Sequence, residues 1–258
     1  MKKLLIILSV IAVGITQLYA TEHTFRKYEH VKVFYEEIVA DTLSIAKTYK
    51  LPPAAILAIA GLESGYGKGY VGQITGNILS LGAFKEDKEL PRLYLPYSIS
   101  DKKVLFDPHN IKKYAKDDLI WKKRPKSLKR DYRPFPHAGT ASNLELLKYN
   151  KSLKSKANKK CLEDFATRWI KKDSNIKAFR ETRFWLNKLV KEKGEKVLFE
   201  KSVNEEFINR IGGHPNSFNY RESWPKKAKL IMRKAGLVKL TNDIHLKNMS
   251  FKKAWKNK

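Results

Sequence analysis

The sequence predicts a mainly α protein. Apolar residues recur at three- and four-residue spacing through most of the chain, one stretch is apolar on nearly every side, and glycine- and proline-rich pieces separate these segments. In a chain of 258 residues, 42% hydrophobic and 11% aromatic content argues for a packed core even though 31% of the residues are charged.

Taken in order, Thr24 to Lys50 places Val31, Phe34, Tyr35, Ile38, Leu43 and Ile45 among charges, the pattern of an amphipathic helix or a broken pair. Leu51-Pro52-Pro53 stops it and opens the next, because proline lacks the amide proton of a helix interior but is tolerated in a first turn. Ala54 to Leu62 is almost wholly apolar, which predicts a helix buried on most sides. Gly65, Gly67, Gly69, Gly72 and Gly76 then open a loop that permits positive φ or a close backbone approach. Leu79 to Ser98, around Lys85-Glu86-Asp87-Lys88, reads as a β-hairpin with a charged tip. Proline-bounded aromatic pieces, Phe106-Asp107-Pro108 and Arg133-Pro134-Phe135-Pro136, flank a basic segment from Trp121 to Arg133. Helical spacing resumes at Thr140 to Tyr149, Leu162 to Ile170, Ile176 to Val190, Glu205 to Ile211 and Trp224 to Ala235. Lys247 to Lys258 carry five lysines and no acid, and read as a basic tail or a frayed terminal helix.

The first residues carry an address. Lys2 and Lys3 precede an apolar run from Leu4 to Val13, and Leu18-Tyr19-Ala20 ends on a small residue, the layout of an export signal. The run is shorter than the roughly 20 residues that span a bilayer. The expected organisation is a signal over 1–20, one domain over 21–240 and a basic tail over 241–258, with the protein exported to the periplasm or cell envelope. Formal net charge is +27, and loss of Lys2 and Lys3 with the signal leaves +25. Outside the cytoplasm such a field favours carboxylate-bearing wall polymers or an anionic membrane surface, and no nucleic-acid-binding module accompanies it; lysines that merely solvate helix faces are the alternative. Cys161 is the only cysteine, so no intramolecular disulfide forms, and it reads as a small buried hydrophobe. His109, His137 and His214 stand apart from one another, so no metal and no cofactor is expected.

Glu63 is the one ionisable residue of the apolar helix and sits at its C-terminal end. Partial desolvation and the negative end of the helix dipole both disfavour its charged form and raise its pKa. A glycosidic oxygen leaves poorly until protonated, so a carboxyl that keeps its proton near neutral pH suits glycoside cleavage. An ion pair with a lysine such as Lys68 is the alternative reading. A second carboxylate is sought on the other sugar face, with Glu86, Asp87 and Glu89 as candidates, Glu86 and Glu89 ranked first. Tyr66, Tyr70, Tyr94 and Tyr97 are aromatic residues near the motif able to stack on sugar faces.

The run from Ala54 to Gly67, an Ala-rich helix closing in Glu63-Ser64-Gly65-Tyr66-Gly67, resembles the signature of the bacterial peptidoglycan glucosaminidases related to flagellar-rod muramidases and Bax-like proteins. Gly76-Asn77-Ile78-Leu79-Ser80-Leu81-Gly82 is similar to that family's Asn-Asn-Leu-Phe-Gly turn, with one asparagine and the phenylalanine missing. Phe218-Asn219-Tyr220-Arg221-Glu222-Ser223-Trp224 is similar to its distal tyrosine motif. The resemblance implies a lysozyme-like α+β fold with a small β-hairpin beside the cleft, and endo-β-N-acetylglucosaminidase cleavage of β-1,4 bonds in peptidoglycan glycan strands. Glu63 is then the catalytic acid, Tyr220 lines the cleft opposite it, and Ser64, Tyr66, Asn77 and Tyr94 are expected at the substrate. A lytic transglycosylase or muramidase on the same fold is the near alternative. A non-catalytic wall-binding scaffold is the alternative of another class.

Overall fold

The computed structural model describes residues 23–106, 108–123, 131–144 and 146–257. The expected export signal and the middle of the basic segment lie outside the described residues, as do Asp107 and the side chain of His109. The chain has the mainly α architecture with a small antiparallel sheet that its pattern predicts. None of the described helices is long and apolar enough to cross a membrane.

The N-terminal pattern is a broken pair: a 3-10 turn at Thr24–Lys27, then helix α1 over Glu29–Tyr49, whose buried stripe runs Val31, Phe34, Tyr35, Ile38, Val39, Thr42, Leu43. Lys50 in the left-handed region and Leu51-Pro52 reverse the chain. Pro53 occupies the first turn of helix α2, Pro53–Ser64. Every residue of α2 is buried except Leu62 and Glu63, which are partly exposed. A helix with no polar face must be covered all round, and α2 is packed by α1, by α6 (Lys201–Ile211), by α7 (Trp224–Lys234), by α8 (Leu237–His245) and by the 3-10 turn Glu195–Phe199. Pro52 cannot cap it. Instead the fully buried Asn204 on α6 accepts from the Ala55 N–H at 2.8 Å, and its own amide nitrogen donates to Leu198 and Glu200 carbonyls.

Between these come the short α3 (Tyr70–Thr75), α4 (Lys151–Asp164) running into a π-helical turn at Phe165–Trp169, and α5 (Lys177–Lys193). Of the helix expected over Thr140 to Tyr149, only Leu146–Tyr149 is helical.

The hairpin expected over Leu79 to Ser98 forms later in the chain. Strand β1 is Tyr94–Ser98, β2 is Lys103–Val104 and β3 is Leu119–Lys123, in antiparallel order β2-β1-β3, with Tyr97 opposite Val104 and Pro96 opposite Trp121. Two contacts explain the shift. Asp87 accepts from the Phe84 N–H at 2.9 Å and pairs with Arg168 at 2.6 Å, so Lys85–Lys88 is a turn tied to the helical body. The β1–β2 corner is held instead by Asp118, which accepts from the Ser98 and Ser100 hydroxyls and the Ser100 N–H. Leu93 and Leu95 bury against Ile74 of α3, seating the sheet beside the glycine loop.

The basic tail expected over 241–258 is packed structure. The proposed boundary at 240 falls inside α8, and residues Phe251–Lys256 form helix α9. Phe251, Ala254 and Trp255 share one helical face among the lysines, and Ala254 and Trp255 are buried in the main core. Fully buried Asp243 accepts from Lys239, Lys247 and Asn257, so part of that basic charge neutralises an internal acid.

Arg26 closes the body. The residue is 8% exposed, and its guanidinium donates to the carbonyls of Ala235, Gly236, Ala254, Trp255 and Asn257, groups left open at the C-terminal ends of α7 and α9. Burial pulls its pKa to about 10, against Asp243, and it stays charged at neutral pH. Removing it orphans several buried acceptors at once. Arg26→Ala is expected to destabilise the fold by about 3 kcal/mol or more in urea unfolding. Arg26→Lys should recover only part of the loss, because an ammonium cannot reach the same spread of carbonyls.

Candidate active site

Glu63 ends α2 where its cover ends. The chain leaves the helix through three consecutive left-handed residues, Gly65, Tyr66 and Gly67, at φ 56°, 56° and 72°. Ser64 stitches this exit: its hydroxyl donates to the Ala60 carbonyl at 2.6 Å and accepts from the Gly67 N–H at 2.8 Å. Beyond Ser64 opens a cleft of about 440 Å³, lined by Glu63, Tyr70, Val71, Asn77, Leu81, Gly82, Leu93, Phe106, Asp131 and Tyr132, among others.

The partner of Glu63 is not Lys68. The indole N–H of Trp224 donates to Glu63 Oε1 at 2.7 Å. Trp224 is placed by close contact with Gly212, where a Cβ would come 2.3 Å from the indole ring, and by Phe218, whose ring centroid lies 5.3 Å away. The Glu63 pKa is raised, as its position predicts. Burial is the largest cause, and the Trp224 hydrogen bond and the positive charge of Arg221 oppose it. Because an indole N–H only donates, Oε1 acts as acceptor and Oε2 is left to carry the proton.

The other expected site residues divide. Ser64 and Asn77 line the cleft, but their polar atoms are engaged by the protein itself. The Asn77 amide donates to the Leu81 and Tyr132 carbonyls and accepts from the Leu81 N–H, so Asn77 shapes the turn from Gly76 to Gly82 rather than offering itself to a ligand. Cys161, wholly buried, brings its thiol to 3.6 Å of Asn77 Oδ1, and burial pushes that thiol up to about 12. Tyr66 turns away from the cleft into a cage of Phe25, His30, Phe34 and Tyr35, with ring centroids 6.0–6.3 Å away. Its left-handed backbone, two residues past the helix, swings the side chain onto the α1 side. Tyr94 belongs to β1 and does not line the cleft.

Glu86, on the turn that Asp87 and Arg168 hold, and Glu89, just past it, are exposed and lie outside the cleft lining. Tyr220 is 70% exposed and lies outside it too, while Trp224, four residues on, makes the contact with Glu63. The distal motif therefore does approach Glu63, through its last residue.

Among the described residues, Asp131 is the acid that lines the cleft together with Glu63, and it pairs by backbone bridge with Gly82. The next two residues anchor it: the Tyr132 hydroxyl donates to Asp164 at 2.7 Å, and Arg133 donates to the Ala138 carbonyl at 2.7 Å and to that of Pro91. A signal was present in the sequence. Asp131 is the only acid between Asp118 and Glu145, a stretch dense in lysine and arginine.

A carboxyl whose pKa is raised on folding contributes stability below its unfolded pKa and loses it as pH rises through the folded value. Glu63→Gln keeps the acceptor for Trp224 without a charge to bury. It is expected to unfold at a higher temperature than the parent at about pH 8, with the gap closing towards about pH 4, as read by thermal melts across pH.

No protein-family model matches the chain, and no curated protein matches it. Among solved structures it is similar to the catalytic domain of the autolysin Auto from Listeria monocytogenes, with 15% identity over 82% of this chain and 87% of that one and a TM-score of 0.43. At that distance the functional reading falls to the residues of the cleft themselves.

Proposed function

We propose that the protein is an exported peptidoglycan hydrolase of the endo-β-N-acetylglucosaminidase type, with Glu63 as general acid and Asp131 as the carboxylate that activates water. The observation that carries this reading is one cleft lined by both Glu63 and Asp131, with the Glu63 carboxyl desolvated and inclined to keep its proton. The likeness of Ala54 to Gly67 to the glucosaminidase signature supports the substrate class. The net charge of +27 suits a wall rich in carboxylates.

In this mechanism Glu63 Oε2–H donates its proton to the glycosidic oxygen as the bond from that oxygen to the anomeric carbon breaks. Water attacks the anomeric carbon, and its proton passes to Asp131. Solvent then returns a proton to Glu63 and removes one from Asp131. Trp224 keeps the acid oriented, and the rigid turn around Asn77 keeps the floor of the cleft in place.

Mass spectrometry of fragments released from purified peptidoglycan tests the reading. Reducing N-acetylglucosamine ends are expected. N-acetylmuramic acid ends would make the protein a muramidase, anhydro ends a transglycosylase, and no release from a folded, wall-binding protein a scaffold. Glu63→Gln should abolish release, and Asp131→Asn should lower it by about 100-fold or more while leaving folding intact.

The acid must be protonated to act, so activity falls as pH rises through the Glu63 pKa. Arg221 holds that pKa down from an exposed position. In Arg221→Gln the alkaline limb of the kcat/KM profile is expected to move to higher pH, and an unmoved limb would assign that limb to another group.

A further inference from the structure

The cleft does not end at Glu63 and Asp131. Tyr70, at the start of α3, lines it, and the ring of Trp121 on β3 lies 5.9 Å from the Tyr70 ring, inclined at 36°. Trp121 is 45% exposed and belongs to none of the buried clusters among the described residues. Phe106, which also lines the cleft, is 44% exposed. Tyr70 packs against the Ile74, Leu93 and Leu95 cluster, but core packing does not account for Trp121 or Phe106, and an indole left in water forgoes a large apolar burial.

We propose that Tyr70 and Trp121 form a saccharide-binding platform that carries the glycan strand out of the cleft over the small sheet, with Trp121 stacking on an amino-sugar pyranose. A pyranose has an apolar face of C–H groups and a polar equator. An aromatic ring covers the first and leaves the second hydrated, which suits a half-exposed indole better than either a core or a protein interface. Continuity with the cleft through Tyr70 selects the same polymer as occupant. The inference rests on the glycosidase reading for its substrate, but not on turnover.

The test uses the full chain carrying Glu63→Gln, so that binding is read without hydrolysis. Isothermal titration with the soluble hexamer of β-1,4-linked N-acetylglucosamine is compared with and without Trp121→Ala. The expected result is a loss of affinity of about tenfold with an unchanged melting temperature, and partial recovery with Trp121→Phe. In the otherwise wild-type enzyme, Trp121→Ala should raise KM on long strands with little change in kcat. Equal affinities, or no hexamer binding to the Glu63→Gln protein at millimolar concentration, overturn the platform. Trp121-dependent binding by a protein that releases no fragments from peptidoglycan would keep the platform and remove the hydrolase.

Discussion

The burial of helix α2 on all its sides is the constraint around which the molecule is built. An apolar helix with no polar face is stable in water only when others cover it, and here α1, α6, α7, α8 and a 3-10 turn do so. The cover has an end, and Glu63 sits there. The same packing that keeps Ala54 to Gly61 dry desolvates the carboxyl one turn further on, so the acid is a product of core construction as much as of local chemistry. Asn204 supplies the N-terminal cap that the proline pair cannot, which lets the helix start inside the protein.

Buried polar groups do the remaining positioning, and most of them serve the backbone. Ser64 holds the helix exit, Asn77 holds the turn on the cleft floor, and the indole of Trp224 holds the carboxyl itself. Each satisfied bond removes a way for the cleft to relax, and low dielectric makes breaking one expensive. Arg26 acts on a larger scale. By capping two helix ends with one planar cation it joins the 3-10 turn Thr24–Lys27 to helix α9, so residues that read as a lysine tail are part of the core.

Charge is distributed with the same economy. Acids are scarce in this chain, and those that matter are placed where a neighbour fixes them: Asp243 between two lysines and an asparagine, Asp87 on Arg168, Asp118 in the β1–β2 corner. Asp131, the only acid between Asp118 and Glu145, lines the cleft.

The mainly α class, the amphipathic helix over Thr24 to Lys50, the buried helix after the proline pair and the singular status of Glu63 were legible in the sequence. They follow from local rules: hydrophobic period, proline chemistry and the solvation of one carboxyl at a helix end. The strand pairing, the docked C-terminus, the inward turn of Tyr66, the approach of Trp224 to Glu63 and the place of Asp131 in the same cleft were decided by tertiary structure. Most depend on contacts between residues far apart in the chain, such as Glu63 and Trp224, separated by 161 in sequence. Periodicity along a sequence records which face of an element is apolar, but not which distant side chain will meet it.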